Sequence, residues 1–406
     1  MVLGASTYQL PTIHAARQAG HFVIAVDMYE DRPGNAACDE RIVTDTTDRD
    51  AVLEHAKARQ IDAILAPCTD VAVPTAAFVA ESLGLPGPPL RAAEICCHKG
   101  RFRAHLRTTA LPVIPFARLS ADRSKDLASL RDELEEGPWI VKPVDASGSR
   151  GISVVADRPD LATALEHAVR ESRSGEAVVE RWIEGRQLTA ELVVSEGEIE
   201  WIAILDRETA PPPHVATWGH RLPPRVTPEA ESSVRATLKT LIDSLAVKTA
   251  IVDADLILDP YGTVWIVEAS PRLGGNAISD LVRYAFGVNL PDLAVKRALG
   301  VVDSIVAKPL LSSTSGTLGA DVVPHAWGVV LLGLDPRTQG TVGTGPLAFD
   351  EAAVQDLRAQ PWLHELLLDV PPGAPVRPFL TGRDRAGLAL LEAPDRDKLD
   401  ARIEHL

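Results

Sequence analysis

The chain has 406 residues, too many for one ordinary hydrophobic core, so two or three packed units are expected. Apolar residues make up 46% and charged residues 24%, the balance of a soluble globular protein, with a formal net charge of −15. That charge argues against a general nucleic-acid binder, which needs cationic surface to neutralise phosphates, but leaves room for a small anionic ligand in a local cationic pocket.

The opening MVLGASTYQL reads as a first strand rather than a signal peptide, and no apolar run approaches the roughly 18–20 residues of a membrane span; a cytoplasmic protein with no membrane partner is expected. Val2-Leu3 opens a strand and Gly4 a turn. A helix over Pro11–Ala19, a strand over His21–Asp27, a loop with Pro33 and Gly34, and a strand over Arg41–Val43 follow. Helix Asp48–Arg59, strand Ala63–Pro67 and helix Val73–Leu83, stopped at Gly84, complete residues 1–88. Strand–helix alternation with short loops predicts a doubly wound parallel α/β domain. The first loop lacks G-x-G-x-x-G spacing, so a nicotinamide dehydrogenase is not expected, although Asp27 closes the second strand as a ribose-binding acid would. Cys38, Cys68, Cys96 and Cys97 fit no zinc pattern, and an adjacent pair forms a disulfide poorly; reduced structural thiols are expected.

LPGPP at 85–89 marks a boundary. A helix over Arg91–Thr108 leads into a mixed region of strands and helices that runs to about residue 300. Strand candidates Trp327–Leu332, His364–Leu368 and Gly387–Leu391, with a turn at Pro371-Pro372-Gly373, predict a small α+β segment over 305–406.

Three clusters carry chemistry. The first is Pro138 to Val155, a strand, a small-residue loop and another strand. Lys142 ends the first strand, and Ser147, Gly148, Ser149 and Gly151 suit close backbone approach to phosphate oxygens. No Gly-Lys-Ser/Thr opens a helix there, so the loop is not a Walker A motif. In the second, a strand ends in Glu180, followed by Trp182, Ile183 and a Gly185 turn; a strand running into a linker offers an apolar slot and backbone groups to a flat ring. In the third, two apolar strands flank Asp259-Pro260-Tyr261-Gly262, a hairpin signature. Antiparallel pairing brings Asp255 close to Glu268, and two converging carboxylates call for a cation such as Mg²⁺. Arg272 and Gly274-Gly275 add a cation and backbone N–H groups beside the same edge.

In this order and at these distances the clusters resemble the ATP-grasp superfamily over nearly the whole chain, and within it the L-amino-acid ligase and carboxylate–amine ligase group. The resemblance implies a Rossmann-like domain over 1–88, an ATP-grasp domain over 89–304 with a lid-like central subdomain at about 110–183, and a C-terminal α+β subdomain over 305–406. It implies ATP contacts from Lys99, Lys142 and the Ser147–Gly151 loop, and an adenine-binding hinge at Glu180, Trp182 and Ile183. Mg²⁺ or Mn²⁺ is implied on Asp255 and Glu268, with Ser270 where an asparagine usually completes the set. Arg272, with Lys142, is implied in catalysis, gripping the transferred phosphate. His220, in Gly-His-Arg-Leu-Pro, matches a loop near the acceptor substrate, and Arg272, Gly274 and Gly275 are expected to bind substrate with it. Gln187 stands where a glutamate usually binds the ribose, and a neutral amide holds a hydroxyl more weakly.

The implied reaction is amide or peptide bond formation through an acyl phosphate, with ADP and phosphate released. The partners implied are a small-molecule carboxylate, of amino-acid type, and an amine; a homodimer is a family-level expectation. The rivals are a bicarbonate-using carboxylase, against which the Gly-His-Arg-Leu-Pro stretch argues, and a non-catalytic nucleotide-binding regulator, whose mark would be a damaged metal set.

Overall fold

The computed structural model describes residues 1–120, 137–307, 325–335, 349–375 and 377–406. The N-terminal unit runs β1 (Val2–Leu3), α1 (Leu10–Gln18), β2 (Ile24–Asp27), α2 (Pro33–Ala37), β3 (Glu40–Val43), α3 (Arg49–Arg59) and α4 (Val73–Leu83). The three strands pair in parallel in that order, and Val2 adds a parallel bridge to Leu65. Leu3, Val26, Val52, Ala77 and Val79 fill the core between sheet and helices. Gly84 ends α4 in the left-handed region, at φ 65°, where a residue without Cβ sits unstrained.

The sequence reading needs three corrections here. Pro33 starts a short helix instead of a loop, since its fixed φ and missing N–H suit a first helical turn. Ala63–Pro67 contributes the single bridge at Leu65 rather than a strand. The helix expected over Arg91–Thr108 is two, α5 (Leu90–Cys96) and α6 (Lys99–Leu106), because the His98 ring accepts the Arg101 amide and caps a new start. The break places Lys99 at the first position of α6, on the wall of the central cleft.

β4 (Phe116–Ser120), β5 (Trp139–Pro143), β6 (Ser153–Val155) and β7 (Glu176–Arg181) form an antiparallel sheet in the order β4-β7-β5-β6, packed on α7 (Leu161–Glu171). The expected central subdomain includes this sheet; its residues 121–136 lie outside the described residues.

The remaining strands are β8 (Arg186–Ser195), β9 (Glu198–Thr209), β10 (Thr217–Leu222), β11 (Ala250–Leu258), β12 (Val264–Ser270), β13 (Ala326–Leu332), β14 (Leu363–Leu368) and β15 (Gly387–Ala393). They make one eight-stranded sheet in the order β12-β11-β8-β9-β10-β13-β15-β14. Alternation sends Leu188, Ala190, Leu192 and Ile204 to the face covered by α8 (Pro228–Ser244), and Val193, Ala203 and Leu205 to the face covered by α9 (Ile278–Phe286) and α10 (Leu290–Ala298). α11 (Glu351–Arg358) and α12 (Arg396–His405) complete the chain. The segment expected to stand apart over 305–406 does not: Gly219–Leu222 of β10 pair with residues 327–330 of β13, so its strands extend the large sheet. Residues 308–324 and 336–348 of that segment lie outside the described residues. No helix among the described residues is long and apolar enough to cross a membrane.

Candidate active site

A cavity of about 370 Å³ opens between the two antiparallel sheets and the N-terminal unit. Ile114, Ile140, Ile152, Ile183, Ile257 and Val267 supply an apolar wall; the rest is largely polar and charged.

The turn between β11 and β12 pairs Leu258 with Val264 and Leu256 with Ile266; a bulge between Leu256 and Asp255 then shifts the register by one residue, and Asp255 stands opposite Glu268. Each carboxylate already has a cation. Lys99 Nζ lies 3.3 Å from Glu268, and Arg207 lies 3.3 Å from Asp255, which also accepts the Thr189 hydroxyl at 2.6 Å. Burial works against charge on Glu268, but Lys99, Lys142, Arg207 and Arg272 hold its carboxyl down at about 2. Burial outweighs Arg207 at Asp255 and, with the neighbouring Glu268 charge, raises its carboxyl. Ser270 is buried beside the Cys97 thiol and lines an adjoining pocket that it shares with Glu268 but not with Asp255. Among the described residues no three His, Cys, Asp or Glu side chains are clustered to hold a metal.

Lys142 is buried and donates to Glu180 at 2.8 Å. Arg103 of α6 takes both oxygens of the same carboxylate, at 2.8 and 3.3 Å, and reaches the carbonyls of Ile266 and Val267. Burial alone would raise Glu180; the two cations bring its carboxyl down to about 2. The side chain of Glu180 therefore serves this ion cluster, while its backbone runs along the cavity wall with Trp182 and Ile183. Trp182 lines the cavity, with its amide held by the Pro138 carbonyl at 2.9 Å. Ile183 is buried on the cavity wall, and Gln187 lines it opposite Ile257.

The Ser147–Gly151 loop has positive φ at Gly148, Ser149 and Gly151. A Cβ at Gly151 would meet Pro143 at 2.6 Å and Glu171 at 2.8 Å, so glycine is required there. Lys99 donates to the Ala146 carbonyl at 2.8 Å, and Arg150 folds back onto the Ser147 carbonyl at 3.0 Å. From the far side, the Gly382 amide donates to the Gly148 carbonyl at 3.1 Å and sets Arg383 at the cavity mouth.

Arg272 closes another wall. Its guanidinium grips Asp70 of the N-terminal unit, at 2.8 and 2.7 Å, and Asp253 of β11. Burial opposes its charge, but Asp70 and Asp253 keep it firmly protonated. Burial pushes Asp253 up to about 7 even against Arg272. Gly275 lines the cavity, whereas the Gly274 amide, expected to face a substrate, is consumed by Glu191 at 2.6 Å. His220 is 2% exposed, opposite Arg207 in the sheet, with neither ring nitrogen hydrogen-bonded among the described residues.

The ATP-grasp domain family matches residues 135–280, the stretch that holds Lys142, the glycine loop, both facing acids and Arg272. Residues 135–280 are an ATP-grasp domain. The chain is 26% identical to the uncharacterized protein y4rH of Sinorhizobium fredii over 334 residues, 81% of this chain and 64% of that protein. It is 29% identical to a D-alanine–D-alanine ligase of Magnetococcus marinus over 231 residues, 53% of this chain and 71% of that one. The crystal structure of an L-amino acid ligase from Bacillus licheniformis superposes on the fold with a TM-score of 0.80 at 20% identity, covering 100% of this chain and 95% of that one.

In this ATP-grasp cleft the sequence reading missed Asp70, Arg103, Glu191, Arg207, Asp253 and Arg383. Only Asp253 carried a local signal, two residues before Asp255 on the same strand and so on the same face.

Burial first, then Arg207, lowers His220 from 6.5 to about 3. The unfolded chain therefore takes up this proton first. Stability from the neutral ring is full above about pH 6.5 and is lost as the pH falls towards 3. Relative to wild type, His220→Leu should gain about 2 kcal/mol in urea unfolding at pH 5 compared with pH 7. An identical difference at both values would mean that the imidazole is not held neutral.

Proposed function

We propose that the chain is an ATP-dependent carboxylate–amine ligase acting on an amino-acid-type substrate. A carboxylate takes the γ-phosphoryl group of ATP to give an acyl phosphate and ADP, and an amine then displaces phosphate to form an amide or peptide bond. What supports this reading is the convergence of Lys99, Lys142, the Ser147–Gly151 loop, the facing pair Asp255 and Glu268, and Arg272 on one cavity of an ATP-grasp domain.

The isoleucine-lined wall suits a purine ring, with Ile183 and Gln187 at its edge. Lys142 meets the phosphates, its position fixed by Glu180 and Arg103. Asp255 and Glu268 fit Mg²⁺ or Mn²⁺: they face each other, already draw cations, and leave further ligand positions to phosphates and water, as this ion prefers. The ion supplies neutralisation of charge on the transferring phosphoryl group. Closure of the loop excludes water, which would hydrolyse an acyl phosphate. His220, neutral in the cavity wall, offers an acceptor to the incoming amine.

The test is ADP release with amino acids singly and in pairs, with bicarbonate plus amines as a parallel arm, and mass spectrometry of the products. ADP, phosphate and a new amide are expected. AMP and pyrophosphate would remove the acyl-phosphate route, and turnover with bicarbonate alone would reassign the carboxylate.

A further inference from the structure

Glu191 is fully buried on β8, opposite Asp253 of β11. One of its oxygens accepts the Gly274 amide at 2.6 Å; the other has no hydrogen-bond partner among the described residues, and neither has Asp253 Oδ1. A buried carboxylate oxygen without a donor is costly, so its retention at this spot calls for a reason. The turn after β12 packs directly on these acids: a Cβ at Gly274 would lie 1.9 Å from Glu191 and 3.1 Å from Asp253. From above, the N-terminal unit holds the same turn. The Cys68 amide donates to the Leu273 carbonyl at 3.2 Å, and its thiol to the Gly274 carbonyl at 3.1 Å. The Leu273 carbonyl also accepts from the Arg272 guanidinium at 3.0 Å. Residues 272–274 are thus clamped between the sheet below and the N-terminal unit above, and Glu191 is the lower jaw.

We infer that Glu191 is the positioning residue of Arg272: by anchoring the Gly274 amide it keeps the guanidinium on the cavity wall between Asp70 and Asp253. Glu191 does not line the cavity and touches no substrate; it acts through the turn alone. The inference rests on Arg272 working as proposed above. A glutamine keeps an oxygen for Gly274 and turns an N–H₂ group towards Asp253. An alanine does neither, and the turn is free to drift. A shift of about 1 Å in a group that grips the reacting atoms typically costs roughly 10²-fold.

The experiment measures ADP release and, in parallel, ATP affinity by calorimetry for E191A, E191Q, R272A and E191A/R272A. E191A should lower kcat by roughly 10²-fold with ATP affinity little changed, and E191Q should restore most of it. In the R272A background the E191A change should add almost nothing, because the turn no longer carries a guanidinium. Additive losses in the double variant, or an E191Q as poor as E191A, would overturn the assignment. If E191A does not fold, E191M fills the volume without accepting the amide and carries the same expectations. Hydrogen exchange on the unliganded protein needs no substrate: E191A should speed exchange over residues 272–276 and E191Q should not. Unchanged exchange overturns the inference. A wild type that releases no ADP with any amine, yet shows this exchange pattern, overturns the ligase reading instead.

Discussion

Arg272→Ala is expected to cut turnover by roughly 10³-fold or more while ATP binds almost normally. The guanidinium is held by Asp70 and Asp253 and Lys142 by Glu180, so the loss of one leaves the other in place for the nucleotide. The charge that loses its partner is that of the phosphoryl group in transfer and of the acyl phosphate that follows. Arg272 is also the counter-ion of Asp70 and Asp253, and stripping one partner from a buried ion pair costs about 3–5 kcal/mol of stability. The double variant Arg272→Ala/Asp253→Asn removes one of the stranded charges and separates catalysis from folding. Arg272→Lys should rescue partly, since an ammonium has no two-pronged donor face. Parallel measurement of ADP release, ATP affinity and thermal unfolding decides the matter. Normal turnover by a folded Arg272→Ala protein would strip this residue of its role.

Glu268→Gln is expected to abolish turnover with the fold intact. The side chain faces the cavity rather than the packed core, and an amide oxygen still fits beside Lys99 Nζ, so little packing is lost. What is lost is the negative charge that Lys99, Lys142, Arg207 and Arg272 stabilise, and with it the attraction for a divalent cation. The check is ADP release across a Mg²⁺ titration, with circular dichroism to confirm the fold. Ligation at the wild-type level would remove Glu268 from the metal set. Recovery at much higher Mg²⁺ would keep it there as a tuner of affinity.

The parts of the site that were legible in the sequence are those that local geometry determines. Asp259-Pro260-Tyr261-Gly262 announces a tight turn between two apolar strands, so the approach of Asp255 to Glu268 follows from the chain itself; the bulge beside Leu256 that sets them directly opposite does not. Lys142 and the glycine loop are legible for the same reason, as the end of one strand and the turn into the next. The ion cluster behind Lys142 is not: Arg103 meets Glu180 across 77 residues, and Glu191 meets Gly274 across 83. Those contacts depend on the order of strands in the sheet and on where α6 begins, neither of which a period of two or of 3.6 reports. The role of the Glu180 side chain went unseen because the end of an apolar strand looks only like an entry to a linker. That two cations wait for it is written elsewhere in the chain. The break between α5 and α6 rests on a histidine acting as a cap, a role that histidine rarely advertises. The C-terminal strands were placed closely, but alternation says nothing of which edge a strand joins.

A chimera with a relative, cut at residue 304 to exchange the last hundred residues, would put a foreign strand against β10. Gly219–Leu222 would need matching backbone partners from it, and Leu205 and Leu222 would lose the cover of Val329 and Leu390. A poorly matched, apolar edge recruits strands from other molecules, so the grafted protein would be prone to precipitate. A workable crossover keeps β8 to β15 from one parent and falls at residues 85–89, before α5. Even there the donor segment must supply a thiol and a carboxylate at positions 68 and 70, because the turn bearing Arg272 is docked on both.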